Sequence, residues 1–217
     1  MPKSIEAEIN DLLNQATLSY NKKEYEAALN LLLPLLAVAP NNAELHLLTS
    51  KCQTRGNDLE AALTSINRCI ELGLEDAEVV NQKGVICLEQ GKTVLAEQYL
   101  LESAAMDTSF LEAMTNLMSL YLQIRNSHEL KRWGSKVITF TADQIRQQLA
   151  NPTPDIGELF DAYISRSMAR FYMEDVPDYV VLKDIQKAIG YYKQLPPTDQ
   201  DEVDLDWLLQ HEQELLK

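Results

Sequence analysis

The sequence predicts an all-α protein: a stack of repeated helical hairpins followed by a C-terminal helical capping module. Three observations lead there. Glycine and strand-type clusters are scarce, apolar residues recur at helical spacing, and the chain resembles itself at a fixed period of 34 residues.

The composition sets the first of these. Of 217 residues, 46% are hydrophobic and 7 are Gly, enough apolar material for one large domain or an elongated array. Abundant Leu, Ala, Glu and Gln favour helices. The segment KVITFT (136–141) is the only serious candidate for a strand.

The period is read by comparing the chain with itself. Ala28, Ala62 and Ala96 stand 34 apart, and Leu130 continues the column. Ala16, Ser50 and Gly84 form a second column that ends in Met118. Leu32, Ile66 and Leu100 form a third, broken by Gly134, and Leu36, Ile70, Ala104 and Ile138 a fourth. Polar breaks divide each copy at NKKE (21–24), RGND (55–58), EQGK (89–92) and RNSH (125–128). Each copy is thus expected to be a helical hairpin whose small residues let its two helices approach closely. One hairpin cannot bury its apolar face alone, so the copies must stack.

These residues resemble the tetratricopeptide (TPR) repeat family. The resemblance rests on the period, the small residues at 16, 50 and 84, the alanines at 28, 62 and 96, and the closing AVAPNN of the first copy. It implies a right-handed α-solenoid of TPR-type hairpins over residues 1–144. The repeats fall at about 9–42, 43–76, 77–110 and 111–144, the last degenerate at Met118 and Leu130. The chain departs from the family at Leu12, His46 and Val80, where an aromatic residue is usual. Pro34 falls inside the second helix of copy one, and a bend on the outer face is expected there.

After residue 144 the period fails and proline takes over as punctuation. ANPTPD (150–155) reads as a linker into a helix over 155–174, with Thr153 as N-cap and Pro154 at the first position. Pro177 separates it from a helix over 179–194, and LPP (195–197) stops that one before a last helix over 199–216, capped by Thr198. Phe160, Tyr163, Phe171, Tyr172, Tyr179, Tyr191, Tyr192 and Trp207 all fall in this stretch. Residues 145–217 are therefore expected to be an aromatic-rich module continuous with the array and covering its apolar end, with a second docking surface as the alternative.

Chemistry is hard to find. Cys52, Cys69 and Cys87 lack a C-x-x-C spacing and fall on apolar positions of the pattern, as small hydrophobes do. His46, His128 and His211 have no partner at ligand spacing, so no metal is expected. TDQDEVDLDW (198–207) fails the calcium-loop pattern and reads as carboxylates favoured by a helix start. Phosphate-binding, nucleophile-elbow and zinc-protease motifs are missing. The expectation is a protein without catalytic residues or cofactor. The net charge of −14 argues against nucleic acid. No segment has the apolar length of a membrane span or the core of a signal peptide, which points to the cytoplasm.

What remains is a partner. The resemblance implies that first helices line a concave groove for a peptide or amphipathic helix of another protein. Carried over by repeat position, the lining is Leu13, Asn14, Thr17 and Tyr20; Leu47, Leu48, Lys51 and Arg55; Asn81, Gln82, Val85 and Leu88; and Asn116, Ser119, Leu122 and Gln123. Several of these leucines could instead be covered by neighbouring helices. The clamp that family members use on acidic chaperone tails is not reproduced: its places hold Leu13, Thr17, Leu48, Glu78 and Gln82, or, one copy on, Leu47, Lys51, Gln82, Glu112 and Asn116. Glu44, Glu78 and Glu112 form a column read either as an acidic rail preferring a basic ligand or as charges that offset three helix dipoles. The expected function is an adaptor or assembly factor. A secretion or assembly chaperone for an apolar client, and the TPR part of a larger enzyme, are the alternatives.

Overall fold

The computed structural model describes residues 5–173, 175–197, 199–200 and 202–217. Among the described residues there are eleven α-helices and no strand: α1 (Ile5–Asn21), α2 (Tyr25–Val38), α3 (Ala43–Arg55), α4 (Leu59–Glu71), α5 (Ala77–Glu89), α6 (Thr93–Met106), α7 (Leu111–Gln123), α8 (Ser127–Ala150), α9 (Ile156–Tyr172), α10 (Asp178–Tyr192) and α11 (Glu202–Leu215). KVITFT is helical, inside α8. Pro34 is exposed within α2, which continues past it to Val38.

Helices α2, α4, α6 and α8 begin at residues 25, 59, 93 and 127, each 34 after the last. The turn before each is the same object. Lys23, Asn57, Gly91 and Arg125, again 34 apart, all have left-handed backbone, with φ of 60°, 62°, 72° and 54°. The amide after each donates back to the carbonyl five residues earlier: Glu24 to Ser19 (2.9 Å), Asp58 to Gln53 (2.9 Å), Lys92 to Cys87 (2.8 Å) and Asn126 to Tyr121 (2.9 Å). The left-handed residues donate in turn to Tyr20, Thr54, Leu88 and Leu122. This is the Schellman closure, which satisfies carbonyls that a helix end leaves orphaned. The fourth copy, degenerate in sequence, closes like the other three.

The chain forms two compact units, divided between Thr108 and Ser109. In the first, each helix from α1 to α6 packs on the next, and α1 and α5 both also touch α3. Ala16, Ala28, Ala62 and Ala96 have no solvent exposure. Ser50 is equally buried and donates its hydroxyl to the carbonyl of Ala62 (2.9 Å), so the small columns of α3 and α4 meet backbone to side chain. At Gly84 a Cβ would lie 2.9 Å from Leu100 Cγ and 3.2 Å from its backbone nitrogen. Leu100 is fully buried and has nowhere to move.

The second unit holds α7 to α11. Here α8 packs on both α7 and α9, α7 touches α9, and α10 packs on both α9 and α11. The fourth hairpin α7/α8 therefore groups with the C-terminal helices, and α9/α10 repeats the hairpin arrangement without the sequence period. Sizes are exchanged in the fourth copy. Met118 is large where other copies are small, and at Gly134 the missing side chain's space is taken by Met173, whose sulfur would lie 2.7 Å from a Cβ. Phe160, Tyr163 and Tyr192 are buried with Leu159, Ile185 and Leu208, so much of the aromatic richness is core; Tyr179 is exposed.

Two helix starts in the C-terminal stretch differ from those expected. The N-cap of α9 is Asp155, not Thr153, and its carboxylate accepts from the Glu158 amide (3.0 Å). A charged acceptor at the positive end of the helix outcompetes a hydroxyl two residues earlier, and the Thr153 amide turns to Asn151 instead (3.1 Å). Pro154 accordingly precedes the cap. Helix α10 starts at Asp178, one residue before the expected 179, with Pro177 in the N-cap position, and Thr198 lies outside the described residues.

Two outcomes follow from these contacts. Gly84→Ala should lower unfolding free energy by about 1–3 kcal/mol, read as a shifted urea midpoint, and Leu100→Ala in the same chain should recover part of that loss. Lys23→Gly or Arg125→Gly should raise stability by about 0.5–1 kcal/mol, because relief of left-handed strain exceeds the added unfolded-state entropy. An unchanged or lower midpoint would contradict that reading of the turns.

Candidate functional site

The first helices of the hairpins carry every residue expected to line a groove, and the two units treat them differently. In the first unit the middle positions are closed. Leu48 (9% exposed) belongs to the core with Leu32 and Leu45, and Leu47 (8%) to the core with Ile66 and Ile86. Asn81 and Val85 are buried as well. Gln82 is buried, its amide donating to Thr54 Oγ1 (2.8 Å) and reaching Ser50 Oγ at 3.5 Å. These polar groups serve one another, as buried polar groups must.

Around them, Asn14, Thr17 and Arg55 are exposed, and Thr17 turns its hydroxyl to the Leu13 carbonyl (2.9 Å). Leu13 and Tyr20 are half-buried against the core, Tyr20 also tilted on Tyr25 with centroids 5.6 Å apart. Leu88 is half-buried. Lys51 is ion-paired with Glu78, so the middle carboxylate of the acidic column is already compensated by its own chain. Glu44 and Glu112 are exposed in the first turns of α3 and α7.

In the second unit an apolar hollow opens between α7, α8 and α9. Its walls are Thr115, Met118, Ser119 and Leu122 from α7, Leu130 from α8, and Ser165, Met168 and Tyr172 from α9, and its volume is about 70 Å³. Ser119 and Leu122 are two of the expected lining residues; Leu122 is 39% exposed. Asn116 is half-buried and Gln123 exposed. A second hollow of about 370 Å³ shares Leu130 and Tyr172 as a wall and adds Ser127, His128, Lys131, Met173 and Asp175, with Lys131 and Asp175 ion-paired. The sequence reading missed Met168 and Ser165 and placed Tyr172 only in the aromatic C-terminal stretch, because α9 lies 45 residues after α7 rather than 34.

Solved structures share this arrangement. PilF of Pseudomonas aeruginosa superposes with a TM-score of 0.56 at 18% identity, over 88% of this chain and 91% of that one. BtubC of P. vanneervenii gives 0.55 at 12% identity, over 91% and 82%. MamA gives 0.50 at 18% identity, over 86% and 92%. The fold is the TPR fold. No family model matches the chain, and no curated protein matches its sequence; at these identities the likeness concerns fold alone. In TPR terms α9/α10 is a further hairpin, with α9 in the place of a first helix beside α7.

The titratable groups of the fold are mostly structural. Burial pushes the Cys52 and Cys69 thiols up to about 11 and raises that of Cys87. His211 is buried, stacked on Trp207 at 4.2 Å, and its Nδ1 lies 2.7 Å from the Trp207 carbonyl. The Asp161 carboxyl is pushed up to about 6, first by the chain packed around it and then by Asp204, Asp155 and Glu158. Since Asp161 keeps solvent contact, like-charge repulsion is the firmer cause. Among the described residues no three His, Cys, Asp or Glu stand where a metal ion could be held, and no helix is long and apolar enough to cross a membrane.

The raised thiols have a direct readout. A shift to about 11 lowers the thiolate fraction about a hundredfold. Ellman's reagent should therefore leave the folded protein almost unmodified and titrate all three cysteines in denaturant. A thiol that reacts rapidly in the folded state would contradict the burial described.

Proposed function

We propose that this protein is a non-catalytic interaction scaffold that holds a peptide or helix of a partner protein against the α7/α9 face. The supporting observation is the apolar hollow bordered by Leu122, Met168 and Tyr172. Elsewhere on the first helices the expected apolar positions are half-buried or buried in core, whereas this hollow offers an unfilled apolar surface with hydroxyls of Thr115, Ser119 and Ser165 at its edge. A partner gains from such a place by inserting one anchor side chain while polar groups orient its backbone. The size selects the anchor. An apolar cavity that holds benzene measures about 150 Å³, so about 70 Å³ suits a branched aliphatic side chain or methionine and not an aromatic ring. Two methionines in the wall allow small adjustments to different aliphatic shapes. The TPR fold supports the same reading, since stacked hairpins offer extended surfaces rather than a reaction centre.

The test is affinity capture from the native organism at low and high salt, with wild type and Leu122→Arg as paired baits. Arginine at 122 places a charge over the hollow without entering the core. A partner held by wild type should be lost from the variant, while Asn14→Arg in the first unit should hold it unchanged. Identical capture by wild type and Leu122→Arg, or no partner with either, would remove this reading.

A further inference from the structure

A second surface lies on α10 and carries the opposite charge to the chain as a whole. Lys183, Gln186, Lys187, Gly190, Tyr191 and Gln194 line an open trough of about 360 Å³, with no carboxylate among them. Both lysines are exposed, and neither has an acidic partner among the described residues. In a protein of net charge −14, two uncompensated cations four residues apart on one helix are the exception to its field.

The floor of the trough is fixed from beneath. Asp184, the carboxylate nearest in sequence to both lysines, is 3% exposed and committed elsewhere. It accepts from Arg166 Nε (2.8 Å) and Nη2 (2.7 Å) and from Arg170 Nη1 (2.5 Å). Two guanidiniums on one carboxylate leave a surplus positive charge at the α9/α10 contact, and the forked geometry holds the helices in register. The Arg166 guanidinium also sits 4.9 Å from the centroid of Tyr163, which stacks on Tyr191 with centroids 5.6 Å apart and planes at 25°. The aromatic wall of the trough is thereby locked in orientation before any ligand arrives, which lowers the ordering cost of binding.

We propose that this trough docks an acidic segment of a partner protein, with carboxylates on Lys183 and Lys187 and an apolar side chain against Tyr191. The glutamines supply amides for the segment's backbone. Long-range repulsion from the acidic chain is screened beyond about 8 Å at physiological ionic strength, so the local lysines decide the contact. A nucleic acid carries charge along its whole length, so phosphates outside the trough come within screening distance of the chain's carboxylates, and it is the poorer fit.

The probe is a short fluorescein-labelled peptide of alternating glutamate and leucine, read by anisotropy beside a glutamine-for-glutamate control and a single-stranded oligonucleotide of equal charge. The acidic peptide should bind wild type about tenfold more tightly than the control. Lys183→Gln with Lys187→Gln should abolish that difference, the corresponding double arginine variant should keep it, and circular dichroism should show both folded. Leu122→Arg should bind the peptide as wild type does, so this test stands or falls apart from the α7/α9 reading. Equal binding of both peptides, undiminished binding by the glutamine variant, equal or tighter oligonucleotide binding, or no peptide binding at all would overturn the proposal.

Discussion

Close approach of paired helices at small side chains is the constraint on which this structure depends. A hairpin of two amphipathic helices has too little apolar surface to fold alone, so it must bury one face inside the pair and another against its neighbour. Ala28, Ala62 and Ala96 have no exposure, and Ser50 and Gly84 meet the facing helix through a hydroxyl and through an empty Cβ position. Leu32, Ile66 and Leu100 then fill the space beside the contact at the same register in each copy, also without exposure. The turn is the second half of the constraint. Two helices can be this close only if the connection is short and reverses at a defined angle, which the left-handed residue and its two back-donated hydrogen bonds provide.

The two halves of that constraint were unequally legible. Packing demands a side chain of a given size, so it wrote columns of Ala, Leu and Ile at 34-residue spacing, and these were enough for the hairpins. The turn demands a backbone angle, and four different residue types, Lys23, Asn57, Gly91 and Arg125, reach it. An alignment by chemistry sees nothing there, although the polar breaks around these residues marked the place. The fourth copy was obscured for a related reason: Met118 and Gly134 exchange large for small, and Met173 of the second unit occupies the space vacated at 134. The hairpin α9/α10 was hidden because α8 runs to Ala150, which moves α9 out of phase with the period.

Groove residues were less legible than core residues because position in a repeat specifies which face a residue occupies, not whether a neighbour covers it. Leu47, Leu48 and Val85 sit at lining positions and are buried. Gln82 is the instructive case. An amide at such a position reads as a hydrogen-bonding group for a ligand's backbone, yet Thr54 and Ser50 already answer it. Lys51 and Glu78 likewise neutralise each other across α3 and α5. Sequence alone shows Gln82, Lys51 and Glu78 as three groups with binding chemistry; the structure shows them engaged with their own chain.

That engagement narrows where a partner can gain free energy. A ligand that displaces Gln82 from Thr54 exchanges one satisfied hydrogen bond for another and nets little, since intramolecular and intermolecular bonds of this kind are of similar worth. A ligand that fills an apolar hollow removes surface from water without breaking any bond, at roughly 25 cal/mol per Å². The same reasoning separates the lysines of the second unit. Lys131 is committed to Asp175, and recruiting it means giving up an existing pair. Lys183 and Lys187 surrender only hydration, because Asp184 beside them is held by Arg166 and Arg170. The arginines thus act twice, fastening α9 to α10 and keeping the adjacent carboxylate from quenching the exposed cations. Removing Asp184 would unfasten the α9/α10 contact, leaving two part-buried guanidiniums with no counter-charge, a change that in buried ion pairs costs about 3–5 kcal/mol. The buried acid therefore serves the cationic surface by structure rather than by charge, holding in place the helix on which the two lysines stand.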